Sequence, residues 1–412
     1  MPYITNPGGR IVCVDDEKQY QKLLDTKGFK PLSKEEIKVH HEERRLKIED
    51  AKRREEMKGQ EKAIPNDGWK RGVYFASVAP GGKDGYGVAS QSLFNGLKDL
   101  GIGVSSSFDD QKVGFLLHSP YSALRMGTPI KVLYTMFEST KIPDDWIDYL
   151  QAVDKVLVPS KWCQEVFKRS GIESDVIPLG YDDTIYKYVP RKVKDRRKED
   201  FVFVHYNAFN IRKGFTEVFK AFTQEFEHDE PVKLILKTTL PAAPIFINPK
   251  KYPNIKVICE KYNGKQMMDL LEGSDCYVFP SRGEGFGMTP LEAMATGIPA
   301  IIPNAHGLSE YFDADKMFEV KVKEECPALY RRYKGKDVGK MVICDVDDLR
   351  KQMRYVYEHP DEAVEKGRMA SRYVQRWTLK KTALMIGELV KTLYDMPMSE
   401  KKNKNVLELE QV

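Results

Sequence analysis

No run in this chain approaches the ~20 consecutive apolar residues that span a bilayer. Its start, MPYITNPGGRIV, lacks the charged and apolar regions of a secretory leader. No transmembrane segment is expected, and a cytoplasmic location is. Cysteine is sparse, and the six residues at 13, 163, 259, 276, 326 and 344 share no paired spacing. That argues against a disulfide framework or a zinc site and suits reduced thiols in the cytosol. Charge of one sign is also lacking, since a net +5 over 412 residues does not by itself imply nucleic acid. The Gly-x-Gly-x-x-Gly fingerprint is absent, which argues against a nicotinamide dehydrogenase. No His/Cys/Asp cluster has metal-ligand spacing. Asp345 and Asp347 mimic an Asp-x-Asp metal motif, but acidic pairs such as Asp182 with Asp183 are common in this chain.

What is present is the composition of a soluble globular protein, 41% hydrophobic and 31% charged, long enough for two domains. Residues 1–66 form a charged N-terminal extension. Ser33 to Glu36 reads as a capping box, and from Lys34 to Lys62 acidic and basic residues alternate with few apolar ones. That pattern predicts a long, exposed helix laced with ion pairs.

Residues 67–190 and 200–377 each alternate apolar strand patterns with helix patterns. Segments 71–79, 113–119, 131–138, 155–160 and 174–180 supply strands to the first. FVFVHY (201–206), 232–238, 255–260, 276–281 and 298–303 supply the second. Such alternation predicts an α/β fold of two Rossmann-like parallel sheets, each covered on both faces. A basic linker, 191–199, separates them, and residues 378–396 read as a C-terminal helix before a polar tail, 397–412.

The densest chemical signal is residues 281–303, SRGEGFGMTPLEAMATGIPAIIP. A buried strand ends at Pro280, and a glycine turn from Gly283 to Gly287 follows, where missing side chains let backbone amides approach a ligand. Thr289 before Pro290 reads as a helix N-cap with proline at the first helical position. Strand, glycine turn and helix start together mark the ligand end of an open α/β sheet and favour an anion. Two carboxylates, Glu284 and Glu292, flank the turn. Local physics alone also allows Thr289 to Glu292 to be a capping box, with Glu292 bonding back to the cap. Arg212 and Lys213 stand after FVFVHY at a helix start, where the helix dipole disfavours cations unless an anion joins them.

The string from Glu284 to Ile301 resembles the signature of the large retaining glycosyltransferase family that includes bacterial mannosyltransferases and sucrose and glycogen synthases. The resemblance covers roughly residues 70–395. It implies the GT-B architecture, two Rossmann-like domains facing across a cleft, with the last helix returning to the first domain. It implies a nucleoside diphosphate sugar as co-substrate, no cofactor, no metal and retention of anomeric configuration. Glu284, with Gly285, Phe286, Gly287 and Met288, would hold the transferred sugar, and Glu292 the ribose, with Thr289 beside them. Lys213 would meet the diphosphate. The family's preceding arginine is missing from Tyr206 to Asn210, which leaves Arg212 as a substitute. Gly85 and Gly87 would line the cleft near the phosphates, His118 would lie near the donor sugar, and Tyr262 near the base.

Glu138 is a candidate on the acceptor side. The acceptor is expected to be a saccharide or lipid-linked glycan. A modified base in DNA is the alternative that the basic run from Arg191 to Lys198 suggests. A non-catalytic nucleotide-sugar-binding protein and an epimerase of the same fold are the other readings.

Overall fold

The computed structural model describes residues 3–5, 11–13, 17–26, 30–33, 72–76, 85–105, 111–195, 198–239, 247 and 250–395. The charged stretch from Lys34 to Lys62 lies outside them. Residues 1–67 form one compact unit and 68–412 another. In the first, strands β1 (Tyr3–Thr5), β2 (Ile11–Cys13) and β3 (Lys30–Pro31) make a small antiparallel sheet ordered β2-β1-β3, with helix α1 (Glu17–Leu24).

The larger unit carries two six-stranded parallel sheets. The first contains β4 (Gly72–Phe75), β5 (Gly103–Ser105), β6 (Val113–Leu117), β7 (Ile130–Tyr134), β8 (Lys155–Val158) and β9 (Asp175–Val176). Their spatial order is β5-β4-β6-β7-β8-β9. Helices α2 (Gly85–Asp99), α3 (Ile147–Gln151) and α4 (Lys161–Arg169) connect them. All five residues of β6 are buried, as a strand covered on both faces requires.

The second sheet contains β10 (Phe201–Tyr206), β11 (Val232–Lys237), β12 (Ile255–Ile258), β13 (Cys276–Val278), β14 (Ala300–Ile302) and β15 (Phe318–Glu319), ordered β12-β11-β10-β13-β14-β15. Helices α5 (Phe215–Glu225), α6 (Gly264–Glu272) and α7 (Met288–Ala295) join its strands. Strand order reverses between β10 and β13, and the carboxyl ends of those two strands form the switch point where such sheets bind ligands.

Three features depart from the sequence reading. Short strands β5 and β15 went unmarked, having only two or three residues each. An antiparallel hairpin, β16 (Val322–Pro327) and β17 (Lys340–Cys344), interrupts the parallel pattern. Helix α8 (Val346–Glu358) follows it, and its N-cap is Asp345, whose side chain accepts from the amides of Asp347 and Asp348. The Asp-x-Asp resemblance is therefore a helix cap. Helices α9 (Pro360–Tyr373) and α10 (Leu379–Asp395) are the last described elements.

Two connections tie the halves of the larger unit. Helix α10 lies along α2: a Cβ on Gly96 would come within 2.8 Å of the Ala383 Cβ. Lys112 Nζ donates to the Tyr394 carbonyl at 2.5 Å, and Thr382 Oγ1 to the Pro178 carbonyl at 2.8 Å. The hairpin makes the second connection. Ala328, Tyr333, Val338 and Met341 belong to the same apolar cluster as Leu116, Phe137, Trp146 and Phe167 of the first half. Trp146 Nε1 donates to Tyr333 Oη at 3.0 Å, and Tyr333 and Tyr121 share a hydroxyl contact of 2.8 Å.

The segment read as a basic linker is held to the second half. Arg191 donates to the carbonyls of Leu271, Glu272, Ser274 and Thr296, and Lys194 pairs with Asp275 at 2.7 Å. These two cations are committed inside the protein, which removes them from any anion-binding surface. Arg196 and Arg197 lie outside the described residues.

Candidate functional site

The switch point of the second sheet gathers most of the residues singled out in the sequence. After β10, Asn210 caps a short 3-10 turn, Ile211–Lys213, by accepting from the Lys213 amide. That turn points Arg212 and Lys213 at the loop following β13. There Glu284, only 5% exposed, accepts from Lys213 Nζ at 2.7 Å, Arg212 Nη1 at 3.0 Å and Ser281 Oγ at 2.7 Å. Arg212 also donates to the Gly283 carbonyl at 2.6 Å.

Two carboxylates face this arginine. Arg212 Nη2 meets Glu138 Oε1 at 3.1 Å, so Glu138, just beyond β7 in the first half, joins the cluster across the cleft. Its other oxygen accepts from Tyr330 Oη of the hairpin at 3.0 Å. Close approach explains the glycine here: a Cβ on Gly283 would sit 2.2 Å from the Glu138 carbonyl oxygen.

Burial works against the Glu284 carboxylate, but Lys213, Arg212 and the Ser281 hydroxyl outweigh it and hold its pKa below the ordinary value. Burial lowers the Lys213 pKa, with Glu284 opposing. For Arg212 burial lowers, yet Glu138 and Glu284 prevail and raise its pKa, as two carboxylates on one guanidinium should.

Glu292 occupies a different setting one helical segment away. The helix begins at Met288 with Gly287 as its N-cap, in the left-handed conformation at φ 85°. The reading of Thr289 as the cap is thereby corrected. The glycine turn starts the helix two residues sooner, and Thr289 Oγ1 instead accepts from Tyr277 Oη at 2.8 Å. The capping-box alternative for Glu292 falls with it.

The Glu292 side chain lies against Tyr206 Oη at 3.3 Å and is hydrogen-bonded by Tyr186. Burial pushes its pKa up to about 7, the two tyrosine hydroxyls and Lys237 pulling the other way and Asp182 adding to the rise. Lys237 ends β11 and lies 5.2 Å from the Tyr262 ring, so Tyr262 borders this end of the site.

The turn between the two glutamates is fixed from the first half. Ser160 Oγ donates to the Gly285 carbonyl at 2.8 Å, and a Cβ on Gly285 would meet Met136 at 2.8 Å. Phe286 is buried, 5.6 Å from the Tyr311 ring. The following loop brings His306, at φ 53° the only non-glycine with positive φ among the described residues, 4.6 Å from the Trp162 ring. Burial lowers its pKa to about 4, leaving it neutral.

His118 follows β6 and contacts Ser119 Oγ through Nδ1 at 3.0 Å. Gly85 and Gly87 fall in the first turn of α2, and the loop before them, 77–84, is outside the described residues. Sequence reasoning missed Tyr330, Tyr186, Tyr206, Trp162 and Ser281. Only Ser281, beside the signature, had a local signal. Among the described residues no group of His, Cys, Asp and Glu could hold a metal ion, and no helix is long and apolar enough to cross a membrane.

Paired parallel sheets, a cleft between them and cations beside a glycine turn at the switch point define a GT-B protein. The chain resembles the group 1 glycosyltransferases: the family model described as glycosyl transferases group 1 matches residues 189–325. It is 26% identical over 260 residues to ORF313 of Acidianus filamentous virus 1, covering 62% of this chain and 76% of that one. It is 26% identical over 231 residues to the human alpha-1,3/1,6-mannosyltransferase ALG2, covering 49% and 54%. Sucrose-phosphate synthase from Thermosynechococcus elongatus shares the fold at TM-score 0.58 and 15% identity, over 79% of this chain and 99% of that one. Anabaena HepE in complex with UDP-glucose does so at TM-score 0.56 and 15% identity, over 78% and 99%. Glycosyltransferase activity is the function these findings support.

Proposed function

We propose that the protein transfers a sugar from a nucleoside diphosphate donor to a saccharide or lipid-linked glycan, in the cytoplasm, with retention and without a metal. The observation that carries this reading is the Arg212–Lys213–Glu284 cluster at the switch point of the second sheet. Two mostly buried cations beside a helix start suit a diphosphate, whose departing charge they would neutralise by preorganised electrostatics. Glu284 and the amides of Phe286 to Met288 would hold the sugar, and Glu292 the ribose hydroxyls. A carboxyl poised near neutrality, already among hydroxyl groups, suits that second task.

The UDP-glucose in the HepE complex and the similarity to the mannosyltransferase ALG2 support a hexose donor. A modified base in DNA as acceptor is disfavoured, because Arg191 and Lys194 of the basic run are engaged internally. The test is a thermal-shift panel of UDP-, GDP-, ADP- and CMP-sugars on the wild type, Glu292→Ala and Lys213→Ala. One nucleotide should stabilise the wild type and neither variant. No shift with any nucleotide sugar overturns the reading.

A further inference from the structure

The hairpin of β16 and β17 does more than join two cores. Its base is anchored on the signature loop, where the Val342 amide donates to the Arg282 carbonyl at 2.8 Å. Its far end is anchored on the first half: the Thr140 amide donates to the Lys340 carbonyl at 3.1 Å, and the Lys340 amide to Thr140 Oγ1 at 2.8 Å. Ser139 Oγ also donates to the Val338 carbonyl. The segment joining its two strands lays the Tyr330 ring 4.9 Å from Phe137 and aims its hydroxyl at Glu138. Tyr330, Glu138, Arg212 and Glu284 thus form one continuous polar chain across the cleft, every link between 3.0 and 3.1 Å.

Arg212 is shared between two carboxylates. An anion that binds Arg212 competes with both of them for the N–H donors of the guanidinium. Glu284 keeps Lys213 and Ser281 in that event. Glu138 keeps the Tyr330 hydroxyl, and its side chain is only 22% exposed. A mostly buried carboxylate stripped of its cation is costly unless a donor remains.

We propose that Tyr330 is a positioning residue for donor binding: its hydroxyl holds Glu138 when Arg212 turns from that carboxylate to the incoming diphosphate. The hairpin is the device that delivers it. This rests on the reading of Arg212 and Lys213 as the diphosphate site. Burial and the neighbouring carboxylate of Glu138 both push the Tyr330 pKa up, so the phenol keeps the proton it donates.

Inorganic pyrophosphate is the probe, titrated calorimetrically into the full chain in magnesium-free buffer, so that no base or sugar preference enters. Lys213→Ala should abolish binding, which tests the site itself. Tyr330→Phe, which keeps the ring on Phe137 and the melting temperature near wild type, should weaken binding about tenfold, the scale of one hydrogen bond to a charged group. Glu138→Gln should tighten it, because a competing charge is gone. Adding Tyr330→Phe to Glu138→Gln should then change little, a rescue that mere loss of packing would not give. Equal weakening by Tyr330→Phe in both backgrounds, or none in either, overturns the proposal while the Lys213 result still supports the diphosphate site. Failure of the wild type to bind pyrophosphate overturns both.

Discussion

Glu284 and Glu292 are eight residues apart on one loop and helix, both buried, yet they live under opposite electrostatic rules. Glu284 has two cations and a hydroxyl within 3.0 Å and is held as a carboxylate. Glu292 has tyrosines around it and a lysine at longer range, so burial wins and its pKa rises to about 7. Residue type does not decide the protonation state; the strand ends that meet each residue do. Strand β10 leads into the cation-bearing turn that serves the first glutamate, while Tyr206 at its own end serves the second.

The comparison breaks most severely if Glu284 is removed. Glu284→Ala leaves Lys213 and Arg212 buried side by side, with Glu138 the remaining carboxylate in contact with Arg212. We expect a loss of about 3–5 kcal/mol in urea unfolding and a fall in turnover of about a hundredfold or more. A variant that keeps wild-type stability would mean the cluster is solvated in solution and not a buried ion group.

The second test uses pH. Between 4.5 and about 7 the folded protein keeps a proton on Glu292 that the unfolded chain has released. Stability from this group is therefore complete below about 4.5 and is lost as pH rises through about 7, by up to about 3 kcal/mol. Glu292→Gln should erase that decline, seen as a flatter plot of unfolding free energy against pH. Parallel plots for variant and wild type would put the Glu292 pKa near the ordinary carboxylate value. Glu284, whose pKa is lowered, works with the opposite sign, adding stability above the ordinary carboxylate pKa and losing it under acid conditions.

The smallest effect is expected from Tyr206→Phe. Its hydroxyl lies 2.8 Å from the Thr289 carbonyl and 3.3 Å from Glu292. Losing it should cost about 1 kcal/mol and move the pH transition of Glu292 upward. A downward movement would show that Tyr206 does not donate to the carboxylate.

Much of the second half of this site was legible in the chain. The glycine turn, the paired glutamates and the Arg-Lys step are contiguous or nearly so, and their chemistry depends on local backbone geometry. Strand β10 matches the run 201–206 residue for residue, because continuous apolar stretches leave little choice in a buried parallel strand. The start of α7 lies two residues before the expected one, since a left-handed glycine can begin a helix that a threonine-proline pair also advertises. Tyr330 and Trp162 were invisible, because each reaches the site from the far side of the cleft. The hairpin carrying Tyr330 has exposed residues along β16, a pattern that announces neither a buried strand nor a contact.

Helix α10, the last described element, completes the face of α2, near the beginning of the larger unit. During synthesis the first sheet therefore emerges with one side uncovered and waits for some three hundred residues before its final layer arrives. The two halves cannot mature as independent domains in the order they are made. A nascent chain halted before Leu379 would expose the apolar flank of α2.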